Sequence, residues 1–324
     1  MRILKRLSAA LALVGLLMAS QSSQAANPYK MFGVYGGNGC NGVKGAAAFN
    51  AWSGHTLDRG FDNISFDSWA GMQNDASWAA NCWKNAGYKS MTFTLPMLVR
   101  DGVSTLALGA AGNYNAQFAT VAARLVSAGY GGATIRLGPE FNGGWFPWAA
   151  AKDPQSFVLY WRQIVATMRA VPGAAFKFDW CTNWGKQQIG PDLVYPGDDV
   201  VDIIGMDVYN SWWGEADKDP QHRWLTFKTA SYGLYWLSAF ATQHGKPMSF
   251  PEWGTGTRPD GHGGGDDPVF VTGMANFIYL NRVAYSNYFD YTAPDYNAKL
   301  SGGANPLAGN ALKQNYWKLI TGGW

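Results

Sequence analysis

Residues 133–148 of the 324-residue chain read ATIRLGPEFNGGWFPW, a β-prone run that leads into a glutamate and then into a loop rich in aromatic residues. The same alternation of a short β-prone run with a longer helix-prone stretch continues along the chain. Eight strands alternating with helices leave two architectures, a (β/α)8 barrel and a doubly wound open sheet. The predicted strands are 31–35, 62–66, 90–95, 133–137, 175–180, 201–208, 248–250 and 285–291.

The predicted helices fill intervals between these strands. Pro154 and Pro268 each follow an aspartate, which is the usual order of an N-cap residue and a proline at the first helical position. The clearest helical stretches are 68–86, 115–128, 154–170, 221–244, 268–282 and 307–320.

The glycine-rich segment 36–39 favours the barrel. An open sheet usually carries a glycine-rich phosphate-binding turn after its first strand. Here the segment reads GGNG, lacks the GxGxxG spacing and runs into Cys40-Asn41-Gly42, where we predict no immediate helix. We therefore predict an α/β protein with a (β/α)8 TIM barrel and a loop at its mouth over this segment. No linker or repeat divides the chain, so residues 26–324 are predicted to form one domain.

Residues 1–25 have the pattern of a secretory signal peptide. Met1–Arg6 is basic, Leu7–Ala19 is apolar apart from Ser8, and Ser23-Gln24-Ala25 resembles a cleavage site. The apolar run is shorter than the roughly 20 residues that a membrane-spanning helix needs. The sequence thus predicts a secreted or periplasmic protein after cleavage.

Charge and metal-binding patterns exclude several classes of function. Without residues 1–25 the chain has 22 basic and 22 acidic residues, so it lacks the positive charge of a nucleic-acid binder or of a protein that binds anionic membranes. The four histidines are scattered and form no HExxH motif. The acidic segment 260–267 lacks a calcium-loop pattern and is predicted to be a surface loop. No cofactor or metal is predicted, and a monomer is expected.

Three cysteines follow the predicted signal peptide: Cys40, Cys82 and Cys181. Two of them can pair outside the cytoplasm. We favour Cys40 with Cys82 because both lie in the first quarter of the mature chain, although spacing alone leaves the connectivity open. Cys181 is then expected to be a buried small residue.

Two glutamates are the predicted catalytic residues. Active sites of (β/α)8 barrels lie at the C-terminal ends of the strands. Glu140 follows the fourth predicted strand, where alternation places it on the same face as Arg136 and Gly138. Glu252 follows the seventh, where alternation groups it with Met248 and Phe250. Strands four and seven stand on opposite sides of a barrel, so the two side chains can converge across a cleft.

A pair of carboxyl groups suits cleavage of a glycosidic bond. A separation of about 5–5.5 Å gives a retaining enzyme, in which one group is acid/base and the other is nucleophile. We assign Glu140 as acid/base and Glu252 as nucleophile. Arg136 is expected either to hold a neighbouring carboxylate ionised or to be a structural ion-pair partner. Tyr209 is expected to donate a hydrogen bond to Glu252.

Several motifs resemble glycoside hydrolase family 26. Glu140 precedes Asn142-Gly143-Gly144-Trp145-Phe146-Pro147-Trp148, which is similar to the run after the acid/base glutamate of that family. Glu252-Trp253-Gly254 is similar to its nucleophile motif. Tyr209, Trp180-Cys181-Thr182-Asn183 and Gly33-Val34-Tyr35 match further positions. The resemblance implies a (β/α)8 retaining glycosidase. The family usually has histidine where this chain has Pro139, so its sugar preferences are not transferred.

The sequence predicts a retaining endo-β-glycosidase that acts on a polysaccharide or oligosaccharide. β-Mannan, β-glucan, β-xylan and a bacterial exopolysaccharide remain open as substrates, and a non-catalytic carbohydrate-binding pseudo-glycosidase is the alternative. Aromatic rings at the mouth are expected to stack on sugars, although at least two of Trp180, Trp184, Trp212, Trp213 and Trp253 should be packed in the core. The predicted substrate-binding residues are Arg136, Asn142, Trp145, Trp148, Trp180, Asn183, Tyr209 and Trp253.

Overall fold

A computed structural model describes residues 30–322, so the predicted signal peptide lies outside the described residues. Eight parallel strands form one sheet in the order β1-β8-β7-β6-β5-β4-β3-β2. The strands are β1 Met31–Tyr35, β2 Gly60–Asn63, β3 Met91–Leu95, β4 Thr134–Leu137, β5 Lys177–Asn183, β6 Ile203–Asn210, β7 Met248–Thr255 and β8 Val283–Phe289.

Helices connect the strands and cover the outside of the sheet. A parallel bridge between Gly33 and Arg59 joins the two edges and nearly closes the barrel. The predicted (β/α)8 fold is therefore confirmed. The helices are α1 Gly39–Ser53, α2 Trp69–Asn85, α3 Leu106–Ala110, α4 Asn115–Ser127, α5 Pro154–Arg169, α6 Pro220–Thr229, α7 Leu234–Gln243, α8 Pro268–Leu280 and α9 Pro306–Ile320. Within residues 30–322, no helix combines the length and apolar character needed to cross a membrane.

Two helical predictions were wrong. Helix α1 begins at Gly39, the last residue of the glycine-rich segment, although no immediate helix was predicted there. Three glycines in its first half hid the helical pattern, because glycine is a poor helix former. Gly45 is required by packing, since a Cβ atom there would lie 2.7 Å from the Cα of Gly36. The predicted helix 221–244 is divided into α6 and α7, and Tyr232 between them has φ +57°.

The inside of the barrel is polar beneath its mouth. Arg59 donates hydrogen bonds to Thr92 at 2.6 Å and to Thr134, and its guanidinium lies 4.3 Å from the ring centroid of Tyr285. Asp179 accepts hydrogen bonds from Tyr285 and, at 2.6 Å, from Ser249. Burial raises the pKa of Asp179 to about 6. The apolar core lies instead between the sheet and the surrounding helices.

The carboxylates of the acidic loop 260–267 bind backbone amides at helix starts and arginine side chains. Asp266 accepts backbone hydrogen bonds from the first turn of α9, and Asp267 is the N-cap of α8 and pairs with Arg223 at 2.6 Å. Asp260 pairs with Arg258 at 2.8 Å. Across residues 30–322, no group of three or more potential metal-binding side chains is arranged around a common point.

Cys40 and Cys82 form a disulfide that joins α1 to α2, with their Cα atoms 5.0 Å apart. This is the pair favoured by the sequence. The free Cys181 is buried, also as expected. The disulfide is adjacent in sequence to two donors, the Gly39 amide and the Trp83 indole, which both hydrogen-bond Asp62 at 2.6 Å. It therefore fixes the two helices close to the end of β2.

Reduction of this disulfide should destabilise the protein. The bond spans 42 residues, and a crosslink of that length contributes about 2–4 kcal/mol by restricting the unfolded chain. We expect dithiothreitol to lower the free energy of unfolding of the wild type, measured by urea denaturation. The free energy of unfolding of a Cys40→Ala/Cys82→Ala variant should be the same with and without dithiothreitol. Equal stability of the oxidised and reduced wild type would contradict this role.

Candidate active site

Glu140 is presented by a left-handed turn at the end of β4. The strand ends at Leu137, and both Gly138 and Glu140 have positive φ, at +51° and +52°. Strand alternation therefore does not place Glu140, contrary to the prediction. The Glu140 amide donates to the carbonyl of Cys181 at 2.9 Å, which ties the turn to β5. A non-glycine residue in this conformation stores strain, a feature that clusters at functional sites.

Two donors hold the carboxyl group of Glu140. The Asn183 amide, at the end of β5, donates to Oε1 at 2.6 Å, and the Trp145 indole donates to Oε2 at 2.7 Å. Burial raises the pKa of Glu140, and the negative charge of Glu252 raises it further. Arg136 and the two donors oppose that rise. The shift favours the protonated form, which a general acid requires.

A β-bulge in β7 directs Glu252 into the cleft. Between two paired positions, three residue steps on β6 are matched by four on β7, from Ser249 to Trp253. Before the bulge, Ser249 faces the barrel interior and Phe250 packs outward against Phe277 of α8. The extra residue reverses this alternation, so Glu252 faces the interior, where it contacts Arg136. Glu252 and Phe250 therefore point to opposite faces of β7. The prediction that they share a face was wrong. Bulges near active sites commonly redirect a side chain in this way.

The carboxylate of Glu252 accepts hydrogen bonds from three residues. Arg136 donates to Oε1 at 2.7 Å, Asn63 donates to the same oxygen at 3.3 Å, and the Tyr209 hydroxyl donates to Oε2 at 2.6 Å. The predicted Tyr209 bond is thus present. A cation, an amide and a phenol form a donor set that suits an ionised acceptor. Only 13% of the Glu252 side chain is exposed, enough for contact with a ligand in the cleft.

Arg136 and Asp207 form a buried ion pair beneath Glu252. Their side chains are 2% and 0% exposed. The backbone amide of Glu252 donates to Asp207 at 3.1 Å, and the Cys181 thiol approaches the same oxygen at 3.3 Å. Burial raises the pKa of Asp207 and Arg136 opposes this effect. Arg136 thus bridges two carboxylates, as a structural ion-pair partner of Asp207 and as a donor to Glu252.

Four predicted substrate contacts are instead packed inside the protein. Trp148, Trp180 and Trp253 pack against other rings of the aromatic core, and Asn142 is fully buried. Asn142 exchanges hydrogen bonds with the backbone of Asn183 at 2.8 and 2.9 Å, so it positions that residue and has no surface for a sugar. The expectation that at least two of the five further tryptophans are packed is confirmed.

Trp145 and Trp213 are the most exposed rings on the mouth loops. Trp145 is 51% exposed beside Glu140, after β4, and Trp213 is 64% exposed after β6. Trp213 stacks on His262 with the centroids 4.6 Å apart. The Arg258 guanidinium also lies 5.4 Å from the Trp213 ring centroid, so the ring of Trp145 is the less covered of the two.

Sequence reasoning missed Asp207 and Asn63 as site residues. Asp207 precedes Tyr209 by two positions, so strand alternation could have placed both on the inner face of β6. Asn63 was hidden because the second strand was predicted at 62–66, whereas β2 ends at Asn63. With the strand predicted to continue to residue 66, Asn63 was not expected to lie at the mouth of the barrel.

Replacement of Arg136 by methionine should destabilise the protein strongly. Removing one partner of a buried pair leaves uncompensated charge and typically costs about 3–5 kcal/mol. The matched control is Arg162→Met, because Arg162 pairs with Asp199 at the surface and should contribute far less. Urea denaturation of both variants measures the difference. Equal losses of stability would show that the buried pair has no special role.

Comparisons with known proteins agree with this fold. The sequence model of glycosyl hydrolase family 26 matches residues 113–231. No curated protein matches the sequence significantly. Similar solved structures include Bacillus subtilis mannanase BCman, at 15% identity and a TM-score of 0.64 over 88% of this chain and 85% of that one. The catalytic domain of a Bacillus sp. JAMB-750 endo-β-1,4-mannanase is 18% identical, with a TM-score of 0.59 over 90% of each chain. The chain is thus similar to glycoside hydrolase family 26 over residues 113–231, and it shares the (β/α)8 barrel fold of these solved structures.

Proposed function

We propose that the protein is a retaining endo-β-glycosidase that cleaves a polysaccharide by double displacement. The observation that carries the proposal is the unequal environment of two glutamates at one end of the barrel. Glu252 is surrounded by donors that suit a carboxylate, whereas burial and the charge of Glu252 favour the protonated form of Glu140. Two carboxyl groups whose surroundings differ in this way can act as a general acid and as a nucleophile.

In the first step Glu252 attacks the anomeric carbon and forms a glycosyl ester. The bond to the leaving oxygen breaks as Glu140 transfers its proton to that oxygen. In the second step the Glu140 carboxylate removes a proton from water. The water oxygen attacks the anomeric carbon, the bond to Glu252 breaks, and the product keeps the anomeric configuration of the substrate.

The surrounding residues position these two groups. Arg136 and Tyr209 each bind one oxygen of Glu252, which fixes the plane of the attacking carboxylate. Asn183 and Trp145 do the same for Glu140. The exposed rings of Trp145 after β4 and Trp213 after β6 are candidates for separate sugar subsites, which supports endo action. Since similar solved structures are described as mannanases, β-mannan is the first substrate to test, beside β-glucan, β-xylan and bacterial exopolysaccharides.

Pro139 favours a second candidate, a carbohydrate-binding pseudo-glycosidase. Its side chain offers no hydrogen bond to a sugar, and its carbonyl is used by the Trp148 indole at 2.8 Å. The complete sets of donors around both glutamates favour the enzyme instead. Export, to the periplasm or outside the cell, is part of the proposal and is supported by the disulfide, because such bonds persist in oxidising compartments.

Hydrolysis should require Glu140 and Glu252 but not Glu215. The chain contains only these three glutamates, and Glu215 lies on an exposed turn where it pairs with Lys218. We expect the wild type and Glu215→Ala to release reducing sugars from one member of a panel of mannans, β-glucans, xylans and exopolysaccharides. Glu140→Ala should lose about 10²–10⁴-fold in rate, and Glu252→Ala should be inactive.

The same panel separates the candidate functions. Equal release by all four proteins would overturn the catalytic assignment. Binding of one polysaccharide without release of reducing sugar by the wild type would favour the pseudo-glycosidase. For a cleaved substrate, proton NMR of the first product should show the anomeric configuration of the substrate, and inversion would contradict double displacement.

Replacement of Trp145 by phenylalanine should move the pH profile of activity. Glu140 must be protonated to act as acid, so kcat/KM falls as the pH rises through its pKa. The Trp145 indole stabilises the ionised form and lowers that pKa. Its removal should therefore raise the pKa and shift the basic limb of the profile to higher pH. Trp213→Phe is the control, since Trp213 has no contact with Glu140, and a shift in the opposite direction would contradict the assignment.

A further inference from the structure

A cavity of about 650 Å³ opens beside the candidate acid. One wall is the segment after β3, from Leu98 to Ala107, and the other is formed by residues 145–147 and by Lys152 and Asp153, which precede α5. The indole of Trp145 lines this cavity and also donates to Glu140. The cavity is therefore next to the proton that the proposed reaction transfers, and it was not part of the site described above.

The position of the cavity beside Glu140 indicates which part of a bound substrate it would contact. The acid protonates the departing oxygen, so it faces the leaving-group side of the cleaved bond. Glu252, the nucleophile, comes from the opposite side of the barrel. A chain bound across the cleft would thus place its leaving-group sugars along Trp145 and into the cavity.

Two cations without acidic partners line the cavity. Neither Arg100 nor Lys152 forms an ion pair with an acid among residues 30–322. The one acid in the lining, Asp153, is committed to α5, where it caps the helix by accepting from the Ser156 amide at 3.0 Å. The neighbouring Asp101 is turned into its own loop by bonds from the backbone and hydroxyl of Ser104 at 2.7 and 2.6 Å.

Arg100 is held in place although its charge is unpaired. Its guanidinium lies 4.0 Å from the ring centroid of Phe66, and its backbone amide donates to the Phe66 carbonyl at 2.8 Å. Phe66 in turn packs edge-on against Phe146 at 5.8 Å, within the opposite wall. Stacking leaves the N–H groups at the edge of the guanidinium available, and their planar arrangement matches a carboxylate. Lys152 adds a second donor, which makes only a long contact of 3.4 Å with the Phe146 carbonyl.

We propose that this cavity binds the carboxylate of an acidic sugar on the leaving-group side of the substrate. Trp145 supplies the apolar face for the ring, and Arg100 and Lys152 supply the charge. The substrate class is then an acidic polysaccharide that contains uronate residues. This inference rests on the proposed function for its orientation, but the binding of the anion can be measured without turnover.

Matched oligosaccharides test the charge preference directly. The probes are β-1,4-linked hexamannuronate against mannohexaose and β-1,4-linked hexaglucuronate against cellohexaose, because each pair differs only at C6. Calorimetric titration of the Glu252→Gln variant, which cannot form the glycosyl ester, at 50 mM and 500 mM NaCl should show at least tenfold tighter binding of the acid in one pair at low salt. The preference should shrink at high salt, since screening weakens exposed charge interactions.

Variants locate the preference in the cavity. Added to Glu252→Gln, Arg100→Gln/Lys152→Gln should lose the preference and retain binding of the neutral oligosaccharide, whereas Arg124→Gln on the outer helix α4 should leave the preference unchanged. Equal or tighter binding of the neutral member in both pairs, or an unchanged preference in the double variant, would overturn the proposal.

Turnover reports separately on the proposed function. Charge-selective binding by a protein that hydrolyses no polysaccharide would leave the anion site standing and remove the hydrolase. Hydrolysis of neutral polymers that depends on Glu140, without any charge preference in binding, would retain the hydrolase and remove the anion site.

Discussion

The buried ion pair between Arg136 and Asp207 is the interaction on which the site depends. Arg136 extends from β4 to Glu252 of β7 and to Asp207 of β6, and Asp207 in turn accepts the backbone amide of Glu252. Three strands are thereby joined inside the barrel by charge rather than by apolar packing. Desolvation of such groups costs several kcal/mol per ion, so a barrel selected for stability alone would gain from apolar residues here. The polar interior is best explained by its contacts with Glu252, whose carboxylate is bound by Arg136 and whose backbone amide is bound by Asp207.

The backbone performs a second task that charge alone does not. Glu140 occupies a left-handed conformation, which costs about 1–3 kcal/mol, and Glu252 follows a bulge that reverses the alternation of its strand. Each deviation takes one glutamate out of the regular geometry of its strand. The amide of Glu140 is then secured by β5 and that of Glu252 by Asp207, so neighbouring strands compensate for the local irregularity. Both carboxyl groups thereby reach the same end of the barrel.

These backbone deviations also mark the limit of prediction from sequence. The eight strands follow from the succession of β-prone and helix-prone runs, and the pair of glutamates and the bond between Tyr209 and Glu252 follow from the rule that barrel sites lie at strand ends. The bulge does not, because an extra residue in one strand is visible only in the pairing with its neighbours. The prediction placed Phe250 on the face of Glu252 for this reason. The burial of Trp148 and Asn142 was equally hidden, since a loop sequence does not reveal which side chains fold back beneath it.

The most direct test of this account is the titration of Glu140 itself. Because the chain has only three glutamates, protein labelled with 13C at the glutamate carboxyl carbon should give three resonances, which Glu→Gln variants assign. Burial and the charge of Glu252 should place the midpoint of Glu140 above the ordinary glutamate value of about 4.3. Removal of that charge in Glu252→Gln should lower the midpoint. A Glu140 resonance that titrates at or below the ordinary value, and that Glu252→Gln leaves unchanged, would contradict the division of roles between the two glutamates.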